Sequence, residues 1–366
     1  MSRSVPLARR NLLADPRRLA ASAAGVGMAI MLILLADGLW AGVKANVTTY
    51  EDNAGADLYV AQPGTRNFFG AISAIPAETA GEIGADPAVD WAVPVRGFFS
   101  ILQLHDLKVP AYVIGSNPGE RGGAWDLTSG RTPRRDDEIA VGRVMARRHG
   151  LAVGDSIDVM GRRFRIVGTS PDAFMFSFVF MTHAATDQLL EAPGTTSFVL
   201  VATDDPTGVR QRLERTSGLT VLDRDQLARN DLALMARAYD VPLKVMRGVA
   251  FAVGSLVIAL TAYTAIAERR REYGIVKAIG ARRRRLLGLA VAQSMMIAAA
   301  GLLAGGLLFV AGRAVISWAR PQFVIVATAG GVGRVVVAAV LMALVAAVLP
   351  ARRLAALEPA TAYRGG

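Results

Sequence analysis

The chain has 366 residues, of which 52% are hydrophobic, a mean hydropathy of +0.36 and no cysteine. It is more apolar than an ordinary soluble domain, so membrane spans are expected, and the lack of cysteine excludes disulfides and cysteine-based metal or thiol chemistry. The net charge of +11 would suggest a nucleic-acid partner, but residues 43–242 carry 20 Lys/Arg against 25 Asp/Glu. The basic excess therefore flanks the apolar stretches, as in membrane proteins generally, and no nucleic-acid partner is expected.

Four apolar stretches are long enough to cross a bilayer core, which needs about 20 helical residues. The first contains a single ionisable residue, Asp37, and the fourth contains Arg334, whose side chain can extend to the membrane interface. The first stretch is long, continues to Trp40 and lacks a clear cleavage signal, so it is interpreted as an uncleaved anchor. The sequence predicts transmembrane helices at residues 19–42, 243–267, 286–312 and 331–349.

The short basic segments between these stretches predict their orientation. Sixteen cationic side chains lie in residues 1–18, 268–285 and 350–366. Because basic loops stay in the cytoplasm, these segments and both termini are expected to be cytoplasmic. Residues 43–242 and the loop 313–330 are then extracytoplasmic.

Residues 43–242 are predicted to form an α+β domain inserted between the first two membrane helices. The clearest unit is a hairpin within Gly150–Gly168, where alternating apolar residues flank a Met160-Gly161 turn. Strands ending in turns are predicted at Asp57–Gly64, Ala111–Gly119 and Phe176–Thr182. Helices are predicted at Ile75–Gly84, Ala140–His149 and Asp225–Tyr239.

No arrangement of residues in the sequence indicates catalysis, so no catalytic, cofactor-binding or metal-binding residue is assigned. His105, His149 and His183 lack the spacing of a metal site, and the acidic clusters at 134–138 and 203–206 are typical of turns. The sequence contains neither a G-x-S-x-G elbow nor a P-loop. The second and third apolar stretches carry no ionisable residue at mid-membrane, which disfavours an ion-coupled transporter. A non-catalytic protein is expected, with any ATP hydrolysis in a separate partner chain.

One segment is unusual for a loop that only sets topology. Glu268–Arg285 holds eight cationic side chains around an ordered "EYGIVKAIG" core. On a helix, Tyr273, Val276 and Ile279 share one side, and Gly280 is a residue type that commonly ends helices. The pattern predicts a short amphipathic docking helix along the cytoplasmic face, joined to two spans.

These residues resemble the FtsX-like, MacB-type permeases of ATP-binding-cassette (ABC) systems. The strongest motif is E-x-G-x-x-K-A-x-G, followed by the basic run and a Gly-rich third span. The tail "LPARRLAALEPATAYR" and the exterior "VGDSIDVMGRRFRIVG" are similar to the same family, and "AGADLYVAQPG" is most similar to its DevC-like, glycolipid-exporting branch. Gln293 departs from the pattern, because many relatives have a Glu near that place.

The resemblance implies that this chain is a permease in the cytoplasmic (inner) membrane of a bacterium and that a separate chain hydrolyses ATP. A separate ABC ATPase would dock on a segment that comprises Glu272, Tyr273, Gly274, Val276, Lys277, Ile279 and Gly280. Two copies, or one copy and a homologue, would pair as a dimer, and the small-residue pairs Gly38/Gly42 and Gly301/Gly305 are predicted pairing surfaces. A periplasmic adaptor and membrane lipids are further expected partners.

Two functions remain open at this point. The first is an export or extraction permease that couples ATP hydrolysis to movement of the exterior domain, for an amphipathic substrate such as a lipid, glycolipid, peptide or drug. The second is a mechanotransmitting signalling subunit that activates an extracytoplasmic cell-wall hydrolase and transports nothing. The two differ in whether the exterior domain presents an apolar cleft or a surface for docking a protein.

Overall fold

The computed structural model describes residues 16–70, 73–104, 107–172, 176–268, 271, 283–320 and 323–356. Four of the helices in these ranges are long and apolar enough to cross a membrane: α1 Pro16–Asn46, α7 Arg224–Ala267, α8 Arg283–Ala319 and α9 Ala329–Ala356. A large α+β segment lies between α1 and α7. The predicted fold class is therefore confirmed.

The segment between α1 and α7 contains twelve strands and five short helices in the described ranges. The helices are α2 Thr49–Ala54, α3 Thr79–Gly84, α4 Arg143–His149, α5 His183–Leu190 and α6 Pro206–Ser217. The strands are β1 Leu58–Ala61, β2 Ile75–Pro76, β3 Trp91–Leu104, β4 Leu107–Ser116, β5 Ser129–Gly130, β6 Glu138–Gly142, β7 Ser156–Val159, β8 Arg162–Ser170, β9 Ser177–Thr182, β10 Thr195–Thr196, β11 Phe198–Ala202 and β12 Thr220–Asp223.

Ten of these strands form one mixed sheet in the order β12-β1-β11-β3-β4-β9-β6-β8-β5, with β7 pairing with both β8 and β3. The pairs β4–β9 and β6–β8 are parallel, and the other pairs are antiparallel. The contact of β7 with β3, between Asp158 and Gln103, joins six of the strands into a ring. Strands β2 and β10 form a separate two-stranded ladder.

The sheet packs two main apolar clusters. One fills the six-stranded ring with side chains such as Leu102, Val113, Phe164 and Ile166. The other is aromatic and includes Tyr50, which follows α1, and Leu227, which lies on the first turn of α7. The aromatic cluster therefore joins the sheet to the segments that lead into the two long helices.

The predicted hairpin is confirmed as β7 and β8. Met160 and Gly161 have φ values of 52° and 83°, so both central residues adopt the left-handed conformation of a two-residue turn. Ile157 pairs with Phe164 and both are buried, which fixes the register that the alternating pattern indicates.

The three predicted helices of this segment need correction. The range Ile75–Gly84 begins with strand β2 before helix α3, and Ala140–His149 begins within strand β6 before helix α4. All five residues of β6 are buried in the sheet, where tertiary packing outweighs helix propensity. The range Asp225–Tyr239 is not a separate helix, because α7 continues without a break through Pro242.

The chain divides into two compact units. The sheet unit comprises Gly42–Ala238 and Arg320–Val324. The helical unit comprises the remaining described residues, including most of α1, α8 and α9 and the part of α7 after Ala238. Each unit is described below by itself. The finer domain boundaries that the sequence suggests stay predictions.

Candidate functional site

The predicted ATPase-docking segment, Glu272–Gly280, lies outside the described residues. At the adjoining end of the helical unit, α1 and α7 are joined by polar contacts. The Arg18 guanidinium lies 2.7 Å from the Glu268 carboxylate, and the hydroxyls of Ser22 and Thr261 are 2.8 Å apart. The end of α7 that leads into the predicted docking segment is thereby tied to the start of α1.

The four predicted pairing glycines all lie against other parts of the same chain. A Cβ atom on Gly301 would lie 2.4 Å from Val26 Cγ1, and one on Gly305 would lie 2.6 Å from Ile30 Cγ2, so both glycines allow α8 to approach α1. Gly38 accepts a hydrogen bond from the Val326 N–H at 3.0 Å. Gly42 contacts the segment after α8, where a Cβ atom would overlap the Val324 carbonyl oxygen. Pairing of two copies through these glycines stays a prediction.

A buried carboxylate links three of the long helices in the helical unit. Asp37 on α1 is 5% exposed. Its Oδ1 accepts from Arg247 Nη1 of α7 at 2.8 Å, and its Oδ2 accepts from Arg334 Nε of α9 at 3.0 Å. One negative charge thus bridges two guanidinium groups, which compensates the burial of Asp37 and fixes these helices against one another.

In the sheet unit, α7 holds a loop that follows β1. Asp231 on α7 is fully buried. Its carboxylate accepts the N–H of Phe68 at 2.9 Å and that of Phe69 at 3.2 Å. Tyr112 of β4 donates its hydroxyl to the Phe68 carbonyl at 2.7 Å. The loop is therefore held between the central sheet and a helix that continues towards the second predicted span.

The sheet unit contains a cavity of about 450 Å³, called the cavity below. Phe69 and Gly70 of this loop form part of its lining. Its lining residues include the aromatic residues Phe69, Phe98, Phe99 and Tyr112. The ring centroids of Phe69 and Tyr112 lie 4.9 Å apart, and those of Phe99 and Tyr112 lie 4.8 Å apart, both in edge-to-face geometry. Phe99 is 52% exposed, so the aromatic surface is open to a ligand.

A buried arginine, Arg96 of β3, also belongs to the lining of the cavity. Arg96 Nη2 donates to the carbonyl of Ala192 and to both oxygens of Thr195, and it lies 2.9 Å from Asp187 Oδ1. Burial lowers the pKa of Arg96, and the neighbouring Asp187 carboxylate opposes that shift. Burial likewise lowers the pKa of His183, whose Nδ1 is 3.5 Å from the same Asp187 oxygen. These contacts fix the segment after α5 against β3.

In the described part of the chain, no three His, Cys, Asp or Glu side chains come together as a metal site would require. His149 and His183 are both described, and they belong to different helices, α4 and α5. His105 lies outside the described residues.

Comparison with known families matches both parts of the chain. The family model described as the MacB-like periplasmic core domain matches residues 19–216, more than half of the chain. The model described as the FtsX-like permease C-terminal domain matches residues 245–359. The chain belongs to the FtsX/MacB-type permeases.

Two relatives are similar to this permease over nearly its whole length, and a solved structure is similar to it over about half. An uncharacterized ABC transporter permease of Mycobacterium tuberculosis is 26% identical over 95% of this chain and 96% of the relative. The pyoverdine export ATP-binding/permease protein of Pseudomonas syringae pv. tomato is 24% identical over 92% of this chain and 55% of its own length. The solved periplasmic region of MacB from Actinobacillus actinomycetemcomitans covers 48% of this chain and 92% of its own, with 12% identity and a TM-score of 0.38.

Sequence reasoning missed three features of the permease. A lone Asp37 in an apolar span was a signal that could have prompted a search for partners, and Arg247 and Arg334 lie near the ends of two other predicted spans. Asp231 gave no such signal, because it resembles any polar residue of an amphipathic helix. The cavity arises from residues distant in sequence that only the fold brings together.

Proposed function

We propose that the permease is the membrane subunit of an ABC exporter, and that a separate ATPase docks on Glu272–Gly280 to move the sheet unit. The observation that carries the proposal is the continuity of α7. This helix begins directly after β12, at Arg224, and ends at Ala267, five residues before Glu272. The sheet unit and the proposed docking segment thus adjoin opposite ends of one helix.

The proposed ATPase partner is supported by the family and by the sequence. The Pseudomonas relative combines ATP-binding and permease functions by its name, whereas this sequence contains no P-loop. We propose that another chain supplies the energy from ATP. Since one ATP-driven dimer presents two docking surfaces, we propose that two copies, or a copy and a homologue, assemble with it.

The proposed orientation places both termini in the cytoplasm of a bacterium and the sheet unit outside the inner membrane. It rests on the sixteen cationic side chains in the three short segments 1–18, 268–285 and 350–366. The proposed substrate is amphipathic, and an aromatic cavity in the sheet unit supports this class over a purely signalling role. A periplasmic adaptor would complete the export route.

The docking proposal is tested by charge reversal at Glu272. Glu272→Arg is expected to abolish stimulation of the partner ATPase by the permease in lipid nanodiscs, because it places a further cation in an already basic segment. Gly280→Pro is expected to have the same effect while membrane insertion persists. Glu82→Arg, at an exposed position of α3, is the matched control and should leave stimulation unchanged. Undiminished stimulation in both docking variants would remove the proposal.

The signalling alternative has its own readout. Purification of the full-length protein in mild detergent should recover the ATPase with an adaptor or bound lipid if the permease exports a substrate. Recovery of a cell-wall hydrolase without bound lipid or adaptor would favour the signalling role.

A further inference from the structure

We propose that the cavity of the sheet unit binds the acyl chain of the exported substrate. The cavity is bounded by Phe69 and Gly70 of the loop after β1, the strand segment Arg96–Phe99 and the segment around Thr195. This inference rests on the proposed export function and gives that function a binding site and a substrate class, a lipid or acylated molecule.

The size and walls of the cavity fit a small apolar guest. Its volume of about 450 Å³ lies within the range of about 300–1,000 Å³ that ligand sites typically have. Phe69 and Tyr112 are buried with their rings against one another, whereas Phe99 is 52% exposed. An exposed phenylalanine beside an open cavity gains free energy when an apolar chain covers it.

The polar side chains of the lining argue for an apolar guest, because they already have partners within the protein. Ser73 Oγ accepts the Gln62 N–H at 3.0 Å, and Tyr112 donates to the Phe68 carbonyl. Thr196 Oγ1 donates to the Phe198 carbonyl at 3.4 Å, and Ser197 Oγ donates to the Gly97 carbonyl at 3.3 Å. A guest therefore does not have to supply hydrogen bonds to these groups.

The charge of the lining leads to the same conclusion. Arg96 is the cationic side chain among the described lining residues, and it is 3% exposed. Its Nη2 group is directed to Asp187, Ala192 and Thr195. Because Asp187 compensates the charge, the site does not select an anionic headgroup, and the headgroup of the substrate would remain outside the cavity.

One wall of the cavity depends on α7. Asp231 holds the N–H groups of Phe68 and Phe69, and a Cβ atom on Gly70 would lie 2.4 Å from Leu234 Cδ2. Both Asp231 and Leu234 belong to α7. Movement of this part of α7 would displace Phe69 from the lining, which gives a direct physical route by which the cavity could open and release its guest.

Photolabelling of the full-length protein tests this site. The permease in phosphatidylcholine nanodiscs is irradiated with a palmitate analogue that carries a mid-chain diazirine, and the labelled peptides are identified by mass spectrometry. Labelling is expected on the peptides that contain Phe69 or Phe99, and excess palmitate should suppress it. Ala74→Trp fills the cavity from an exposed lining position and should lower probe affinity about tenfold. Ala85→Trp, at an exposed position away from the lining, is the matched control.

Labelling confined to the membrane helices would overturn the proposal, and so would equal labelling of Ala74→Trp and Ala85→Trp. A second variant, Phe99→Ala, guards against a folding defect in Ala74→Trp, because Phe99 is half-exposed and its loss should still weaken labelling. The probe assay needs no ATPase. If labelling fails while Glu272→Arg still abolishes ATPase stimulation, only the acyl site is wrong. If labelling succeeds and Glu272→Arg has no effect, only the docking proposal is wrong.

Discussion

Asp37 joins three long helices, and the exposure of its two arginine partners determines how much its removal would destabilise the protein. The two guanidinium groups differ in exposure, with 29% of the Arg247 side chain and 62% of the Arg334 side chain accessible. Removing the shared carboxylate leaves two neighbouring cations with no negative charge between them. Because Arg334 is largely exposed, the stability lost should be smaller than the several kcal/mol lost when one partner of a fully buried pair is removed.

Asp37→Asn is therefore expected to destabilise the protein by about 2 kcal/mol, seen as a lower Tm in detergent. A double-mutant cycle with Arg334→Gln provides the control, because removing one cation should partly restore Asp37→Asn while it destabilises the wild-type protein. Purely additive effects of the two substitutions would contradict the shared bridge.

Glu138 at the start of β6 is a second residue whose charge affects stability. It is 5% exposed, and its carboxylate accepts from Arg131 at 2.7 Å and from the Arg134 N–H at 3.0 Å. Hydrogen bonds from Arg131 lower the pKa of Glu138 to about 2. The pKa of Glu in an unfolded chain is about 4.3. The stabilising contribution of Glu138 is therefore present above that pH and is lost as the pH falls towards about 2.

Glu138→Gln is expected to lower stability by on the order of 1–2 kcal/mol at pH 7, because Arg131 is half-exposed and the pair is partly screened. The difference between wild type and variant should shrink between pH 5 and pH 3, measured by thermal unfolding at each pH. Glu82→Gln, at an exposed position of α3, is the control whose offset should stay constant. A difference for Glu138→Gln that does not change with pH would contradict the assignment.

At the scale of the helices, glycine spacing sets how closely α1 and α8 approach. A Cβ atom on Gly305 would lie 2.8 Å from the Gly27 carbonyl oxygen, which is backbone and cannot move aside. The adjacent Gly306 has no atom within 4 Å of a built Cβ. Substitutions of Gly305 and Gly306 by alanine can therefore distinguish the effect of helix packing from that of helix propensity.

Gly305→Ala should lower the Tm of the purified protein because α1 and α8 must separate. Gly306→Ala should leave the Tm unchanged or raise it slightly, since alanine favours the helix by up to about 1 kcal/mol over glycine. Equal effects of the two substitutions would show that the close approach of the helices does not determine stability.

At the scale of the whole molecule, the sequence predicted the spans and the α+β insertion because each follows from a local pattern. Continuous apolar runs mark the long helices, and the alternation around Met160-Gly161 marks the β7–β8 hairpin. The strand order could not be predicted, because β4–β9 and β6–β8 pair across long separations that no local pattern encodes. The Asp37 bridge and the aromatic cavity likewise bring together residues that are distant in sequence.

The orientation can be tested directly because the chain has no native cysteine. A single cysteine at Ser129, which is exposed in the sheet unit, should react with a membrane-impermeant maleimide in intact spheroplasts. Ala281→Cys, in the basic segment, should react only after the membrane is permeabilised. The reverse pattern would place the basic segment outside and contradict the positive-inside assignment.

The geometry of α7 determines how small a rotation of this helix would release the loop that follows β1. The helix has 44 residues and spans about 66 Å at 1.5 Å per residue. Pro242 removes a single backbone hydrogen bond within it. A side chain about 5–6 Å from the axis moves by about 1 Å when the helix turns through roughly 10°. A displacement of about 1 Å away from the loop would lengthen bonds of 2.9 and 3.2 Å beyond hydrogen-bonding distance, so a small twist in that direction would free Phe68 and Phe69 from Asp231.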